Sequence, residues 1–336
     1  MDFMLDIQLP RSKSLIDHQQ KILSIGSCFT EHIGNALKEM KFDILQNPNG
    51  ILFDPDSVAK ILVSYVQNKR FSESDIFYLN EVWQSWLHHS RFSGVQKEQV
   101  LGNINNSQAQ AHSFLTDADW LIITLGSSFS YRLSEEADVS RQLIGRNSGV
   151  VNCHRAPAAW FNKHLMTISE IVEVMDEMIH QVFYFNNKVN IIFTVSPVRH
   201  IRDGVIENNR SKARLTEAVH HLVNKFDRLH YFPAYELVID VLRDYRYYDI
   251  DLVHPNYLAT EFVLAKFVDV FMSDETVKLA GEVKKLVIAK KHKPTHPTTK
   301  AHQKFLQTHC EMACKLQEKY PYLKLGDEIN YFSGLM

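Results

Sequence analysis

The chain has 336 residues, 45% of them apolar, enough to bury a large core as one big domain or two ordinary ones. A net charge of −2 and a pI of 6.8 leave no basic excess for nucleic acid and no acidic block for a disordered tail. Four cysteines (Cys28, Cys153, Cys310, Cys314) are too few for a disulfide framework at this length and fit free thiols, and no apolar run reaches the roughly 18 residues that a membrane-spanning helix needs.

The first segment, MDFMLDIQLPRSK, carries acidic residues and no apolar stretch, so no secretory signal is expected and the cytoplasm is the expected compartment. KILSI (21–25) predicts a first strand, followed by an amphipathic helix in EHIGNALKEMKF and a second strand in FDIL (42–45). WLIITL (120–125) and VNIIFTVS (189–196) are runs of the buried-strand type, and LHYFPAY (229–235) is a shorter one. Helical patterns lie near 56–67, 107–117, 163–184, 209–226 and 257–272. Strands alternating with helices predict a three-layer α/β sandwich, a parallel sheet with helices on both faces. Beyond residue 274 the pattern changes to basic and amphipathic helices separated by the Pro/Thr linker 293–300. The predicted division is a main domain over 1–274 and a C-terminal helical extension over 275–336.

In a parallel sheet, sites form beyond the carboxyl ends of the strands, and the polar clusters of this chain fall there. KILSI runs directly into Gly26, Ser27 and Cys28 and then into a helix. A serine at such a turn projects its hydroxyl into the crevice, with backbone N–H groups near a helix N-terminus. Ser27 is equally what a helix N-cap requires. Late in the chain, Asp251 and His254 stand three apart, a spacing that lets a carboxylate orient an imidazole; Asp249 is the rival acid. Together these suggest a nucleophile and its relay, although the G-x-S-x-G of α/β-hydrolases is absent.

Other polar clusters have two readings each. Trp86, His88 and His89 line a pocket, with Trp86 as an apolar or sugar-stacking wall, or form a half-buried loop. Asn152, Cys153 and His154 read as polar pocket lining rather than a thiol–imidazole dyad, because neighbours on a loop rarely face each other. Arg199 follows the strongest strand and either clamps an acidic group of a substrate or pairs with Asp203 or Glu207. Cys28 reads as a small buried residue under the turn. Cys310 and Cys314 share a helix face without a second spaced pair, so no metal site is predicted.

Gly26-Ser27-Cys28-Phe29-Thr30 resembles the motif that names the GSCFA family, with Thr30 at the motif's alanine. Asn47–Ile51, Trp86–Ser90, Leu125–Ser127, Asn152–His154, Thr194–Arg199 and Leu242–Arg246 resemble stretches of the same family, in order. The early strand–Gly–Ser and the late D-x-x-H resemble the wider SGNH (GDSL-type) hydrolase superfamily. The resemblance implies a flavodoxin-like, SGNH-type sheet with Ser27 as nucleophile, His254 as base and Asp251 as its orienter. It implies an oxyanion hole made by the N–H of Ser27, the N–H of Gly50 and an asparagine side chain. The superfamily's G-x-N-D stretch reads Gly126-Ser127-Ser128-Phe129 here, so Ser127 or Asn152 has to replace that asparagine. The superfamily's acidic residue before the serine is replaced by Gly26. The implied activity is hydrolysis of a small-molecule or carbohydrate acyl ester without a cofactor, and the oligomeric state is left open. The alternatives are acyl transfer at the same site, or a binding protein with a degraded site.

Overall fold

The computed structural model describes residues 5–137 and 149–334. Its central sheet has five parallel strands: β1 (Lys21–Gly26), β2 (Asp43–Gln46), β3 (Trp120–Leu125), β4 (Asn190–Val195) and β5 (Leu229–Phe232). Their spatial order is β5-β4-β3-β1-β2, the flavodoxin-like order, with the direction of winding reversing between β1 and β3. The helices are α1 (Cys28–Glu39), α2 (Pro55–Val66), α3 (Lys97–Asp117), α4 (Ile168–Phe185), α5 (Gly204–Val223) and α6 (Tyr257–Phe271).

The apolar runs are continuous because both faces are buried. Along β3, Leu121, Ile123 and Leu125 pack into a core shared with α2, α3, α4 and α5. Trp120 and Ile122 point the other way, into a core shared with α1 and α6. The expected three-layer α/β sandwich is the architecture present.

Helix starts follow local capping. Asp54 accepts from Ser57 N at 3.0 Å with Pro55 at the first turn, and Asn256 accepts from Ala259 N at 3.2 Å. Three helix starts differ from the sequence expectation by five residues or more, and the helix expected from 209 begins at Gly204. The helix expected from 163 begins at Ile168, where Thr167 and Glu170 form a capping box, and Phe161–Leu165 is a strand instead. The helix expected over 107–117 is α3, which starts at Lys97; before residue 107 it buries only Val100 and Ile104, a stripe too thin to read. The hairpin Phe77–Leu79/Val82–Gln84 and the helical turns Ala234–Glu236 and Leu237–Leu242 escaped prediction, as did two larger features. One is a small antiparallel sheet of Phe129–Leu133, Gly149–Val150 and Phe161–Leu165. The other is the last helix.

That helix, α9 (Gly326–Gly334), packs with α7 (Asp274–Lys291) and α8 (Lys300–Lys319) around Val283, Leu286, Leu306, Leu325 and Phe332. Buried Glu328 pairs with Lys41 at 2.8 Å, and Lys324 reaches Asp43 at 3.4 Å. Asp43 opens β2, so these contacts tie the C-terminal helices to the N-terminal end of the sheet, opposite the strand ends where Ser27 lies. Among the described residues no helix is long and apolar enough to cross a membrane.

Candidate active site

β1 must end in glycine. Gly26 has φ +146°, and a β-carbon there would lie 2.3 Å from the Thr124 carbonyl oxygen of β3. The Gly26 N–H donates to Asn47 Oδ1 at 2.9 Å, which ties the turn to the loop after β2. Ser27 follows at the N-cap of α1 in extended conformation, yet its side chain makes no capping bond. It is 2% exposed, and its Oγ is buried without a partner. Leaving a buried hydroxyl unbonded costs about 1–3 kcal/mol, so Ser27 is not explained as a cap.

The loop before α6 builds the second half. Asp251 Oδ2 accepts from His254 Nδ1 at 2.6 Å, and Oδ1 accepts from the N–H of Val253 at 2.9 Å and of His254 at 3.0 Å. These bonds, with the His254 N–H first among them, hold the Asp251 carboxyl down at about 2. A carboxylate at Nδ1 places the imidazole proton there and leaves Nε2 with its lone pair. The Arg199 N–H donates to Val253 O at 3.2 Å, stitching this loop to the end of β4. Asp249 instead closes the turn through its backbone, accepting from Leu252 N at 2.9 Å and donating to His254 O at 2.8 Å.

Between these elements lies a cleft of about 540 Å³. Its walls include Cys28, Phe53, Ser127, Asn152, Cys153, Arg199, His200, Arg202 and His254, with Phe129, Tyr131 and Lys163 from the small antiparallel sheet. Ser27 lies beneath this lining rather than in it. Lys163 is ion-paired with Asp203. Arg199 takes neither acidic partner that the sequence suggested; its guanidinium lies over the rings of Tyr248 (4.2 Å) and Tyr245 (5.2 Å).

Several sequence assignments need correction. Trp86 is buried, stacked on Phe77 at 4.0 Å in a small apolar cluster, and is no sugar platform. His88 is buried against Phe71 and Phe92, with Nδ1 on Ser85 Oγ at 3.0 Å, and burial drives its pKa down to about 3. His154 is buried with Nε2 on the Ser85 carbonyl at 2.7 Å. His89 packs its Cβ against Gly50, 2.2 Å from where a β-carbon on that glycine would be. None of these four lines the cleft: Trp86 and His154 pack with Phe77 of the hairpin Phe77–Leu79/Val82–Gln84, Trp86 also meets the small sheet at Phe161, and His88 and His89 turn to Phe71, Phe92 and Gly50.

The donors assigned to the oxyanion are also largely committed. Ser27 N–H donates to Thr124 O at 3.1 Å, and Gly50 N–H to Asn47 O at 2.8 Å. Ser127 Oγ is bonded to Ser211 Oγ at 3.2 Å; Asn152 accepts from His154 N through Oδ1 at 2.8 Å, which orients the side chain at the cleft wall without engaging its Nδ2 donor. Of the thiols, burial pushes Cys28 up and Cys153 up to about 11, against a thiolate nucleophile in either place.

A feature missed in the sequence organises the floor. On α5, Leu215, Ala218, Val219 and Leu222 face the core, and the same periodicity extended backwards lands on Asn208, Ser211 and Lys212, all buried. Asn208 Oδ1 accepts from His200 N at 2.8 Å, and Ser211 binds Ser127 and Ser128. Lys212 Nζ donates to the carbonyls of Gly126 and Ser196, both at 2.6 Å. A polar stripe on the core-facing side of a helix was the available signal, since buried polar groups need partners and here the partners are strand ends. The stripe also fixes His200, a residue not assigned from sequence.

Fold and site together define a flavodoxin-like α/β protein with a carboxylate–imidazole pair and a buried serine at the switch point of its sheet. The chain belongs to the GSCFA family: the family's model matches residues 21–267, and a second, described as the C-terminal domain of GSCFA domain proteins, matches 283–334. No curated protein matches it. Among solved structures it is similar to a carbohydrate esterase family 3 protein from Talaromyces cellulolyticus, at 10% identity and TM-score 0.36, covering 79% of this chain and 99% of the other. It is also similar to an acetyl xylan esterase from the rumen bacterium Butyrivibrio proteoclasticus, at 10% identity and TM-score 0.34, covering 78% of this chain and 64% of the other.

Proposed function

We propose that this protein hydrolyses acyl esters through a covalent intermediate on Ser27. The observation that carries the reading is the 2.6 Å bond from His254 Nδ1 to Asp251, on the wall of a cleft also lined by Cys28, the chain neighbour of the unbonded Ser27 hydroxyl. Asp251 holds the proton on Nδ1, so Nε2 is the basic atom. Ser27 rotates its Oγ up toward the cleft, His254 removes its proton, and the alkoxide attacks the ester carbonyl. The imidazolium returns that proton to the leaving alcohol. A water, deprotonated by His254, then attacks the acyl carbonyl; the bond to Ser27 Oγ breaks, the imidazolium returns the proton to Oγ, and the acyl group leaves as acid.

The rival reading is a binding protein with degraded machinery on the same fold. It draws on the unbonded Ser27 Oγ and on the engaged amides of Ser27 and Gly50. A serine-directed fluorophosphonate separates the two. The esterase is expected to carry one phosphonyl group on Ser27, located by peptide mass spectrometry; an unlabelled Ser27, or a label on Cys28 or Cys153 instead, rejects the reading.

Substrate choice follows from Arg199. An arginine held on two tyrosine rings at the cleft wall, with no carboxylate partner among the described residues, suits an acidic group on the ester. Arg199→Ala is expected to raise KM for 4-nitrophenyl hydrogen adipate by about tenfold, the value of one charge-assisted bond, and to leave that for 4-nitrophenyl acetate within about threefold. Equal effects on the two esters in steady-state assays would remove Arg199 from substrate binding.

A further inference from the structure

Hydrolysis at Ser27 requires hydrogen-bond donors for the carbonyl oxygen as it becomes negative. The donors nearest to hand are engaged: the Ser27 amide with Thr124, the Gly50 amide with Asn47, and the Ser127 and Ser128 hydroxyls with Ser211. His200 is different. Its Nε2 is buried and has no partner. It also lies near the nucleophile's side chain: a β-carbon built on Gly126 would lie 3.2 Å from His200 Nε2 and 3.3 Å from Ser27 Cβ. The absent side chain of Gly126 therefore leaves one small space bordered by His200 Nε2, Ser27 Cβ and Phe53 Cβ.

We propose that His200 donates its Nε2–H to the oxyanion formed at Ser27, taking the place of the asparagine that the stretch after β3 lacks. The inference rests on the esterase reading above. His254 and His200 then divide the labour of two imidazoles. His254, half-exposed and bonded to Asp251, offers a lone pair at Nε2. Among the described residues His200 has no carboxylate bonded to its ring; burial, aided by the nearby Lys212, brings its pKa down to about 4. It is neutral at ordinary pH, so it offers an N–H donor rather than a fixed charge, and it makes no competing demand for the proton that His254 carries. Asn208 holds its backbone N–H at 2.8 Å, and Lys212 clamps the ends of β3 and β4 beneath it, so the donor is preorganised.

The test compares wild type with His200→Ala, His200→Gln and Asn152→Ala. Ester turnover is measured alongside the rate at which a fluorophosphonate labels Ser27, after circular dichroism has established that each variant is folded. His200→Ala is expected to lower kcat by about 10²–10³-fold with KM within about threefold, the loss typical of one oxyanion donor. His200→Gln is expected to recover at least about tenfold of that loss, because an amide N–H reaches the same point and donates without acting as a base. Asn152→Ala is expected to lose at least about tenfold less than His200→Ala does. The proposal is overturned if His200→Ala turns over like wild type, if Gln recovers nothing, or if Asn152→Ala takes the loss instead. A wild type that neither labels on Ser27 nor turns over esters sinks the esterase reading itself, and this proposal with it. Labelling that persists in wild type with an indifferent His200 sinks this proposal alone.

Discussion

Ser27→Ala is expected to lower kcat for ester hydrolysis by at least about 10⁴-fold while leaving the protein as stable as wild type, because loss of a nucleophile removes the covalent route entirely. The stability half is as specific as the kinetic half. Ser27 is buried and its Oγ bonds to nothing, so deleting it removes a desolvation cost and no hydrogen bond. Its backbone, extended at the start of α1 and bonded to Thr124 through the N–H, suits alanine equally. Thermal unfolding within about 2 °C of wild type is therefore expected, or slightly higher, as for a group kept at a cost to the fold. A variant that hydrolyses 4-nitrophenyl acetate at the wild-type rate would end the assignment. One that melts far lower would show that the hydroxyl has a structural partner after all.

Asp251→Asn is expected to cost about 10⁴-fold in kcat with little change in KM, the loss that follows when the imidazole is held in the wrong tautomer. Asparagine retains one carbonyl oxygen for the amides of Val253 and His254, so the turn survives. The other position becomes an NH₂ group facing His254 Nδ1. That nitrogen must then accept, the proton moves to Nε2, and the atom required as base becomes a donor. Asp251 is held at about 2 and is ionised at any ordinary assay pH. The sign follows: a carboxyl lowered from 3.8 loses its contribution only as the pH falls toward 2, so the mutational loss should persist from pH 5 to pH 9. Activity retained by Asp251→Asn but lost in Asp249→Asn would transfer the role to the neighbouring acid.

The central sheet was legible because its strands obey a simple local rule. WLIITL and VNIIFTVS are continuous apolar runs, and only a strand covered on both faces needs that. The Asp251–His254 pair was legible for a related reason, since partners three residues apart in a capped turn meet whatever surrounds them. Trp86, His88 and His154 were misread because a polar or aromatic loop looks alike whether it borders a cleft or is packed against other elements. Here Phe77 of the hairpin packs with Trp86 and His154, and the small sheet meets Trp86 at Phe161. His200 was passed over because its significance lies in a space shared with Gly126 and Ser27, more than 70 positions away along the chain.

By itself the sequence determined the alternation of strands and helices, the glycine turn at Gly26 and the carboxylate–imidazole pair, because each depends on periodicity or on neighbours within one turn. Only the tertiary structure decided which polar groups line the cleft, which amides are already bonded, and that an imidazole after β4 lies near a serine after β1. Those are properties of strand order and of packing between distant segments. A hydrogen-bond donor is spent or free according to what the fold brings beside it.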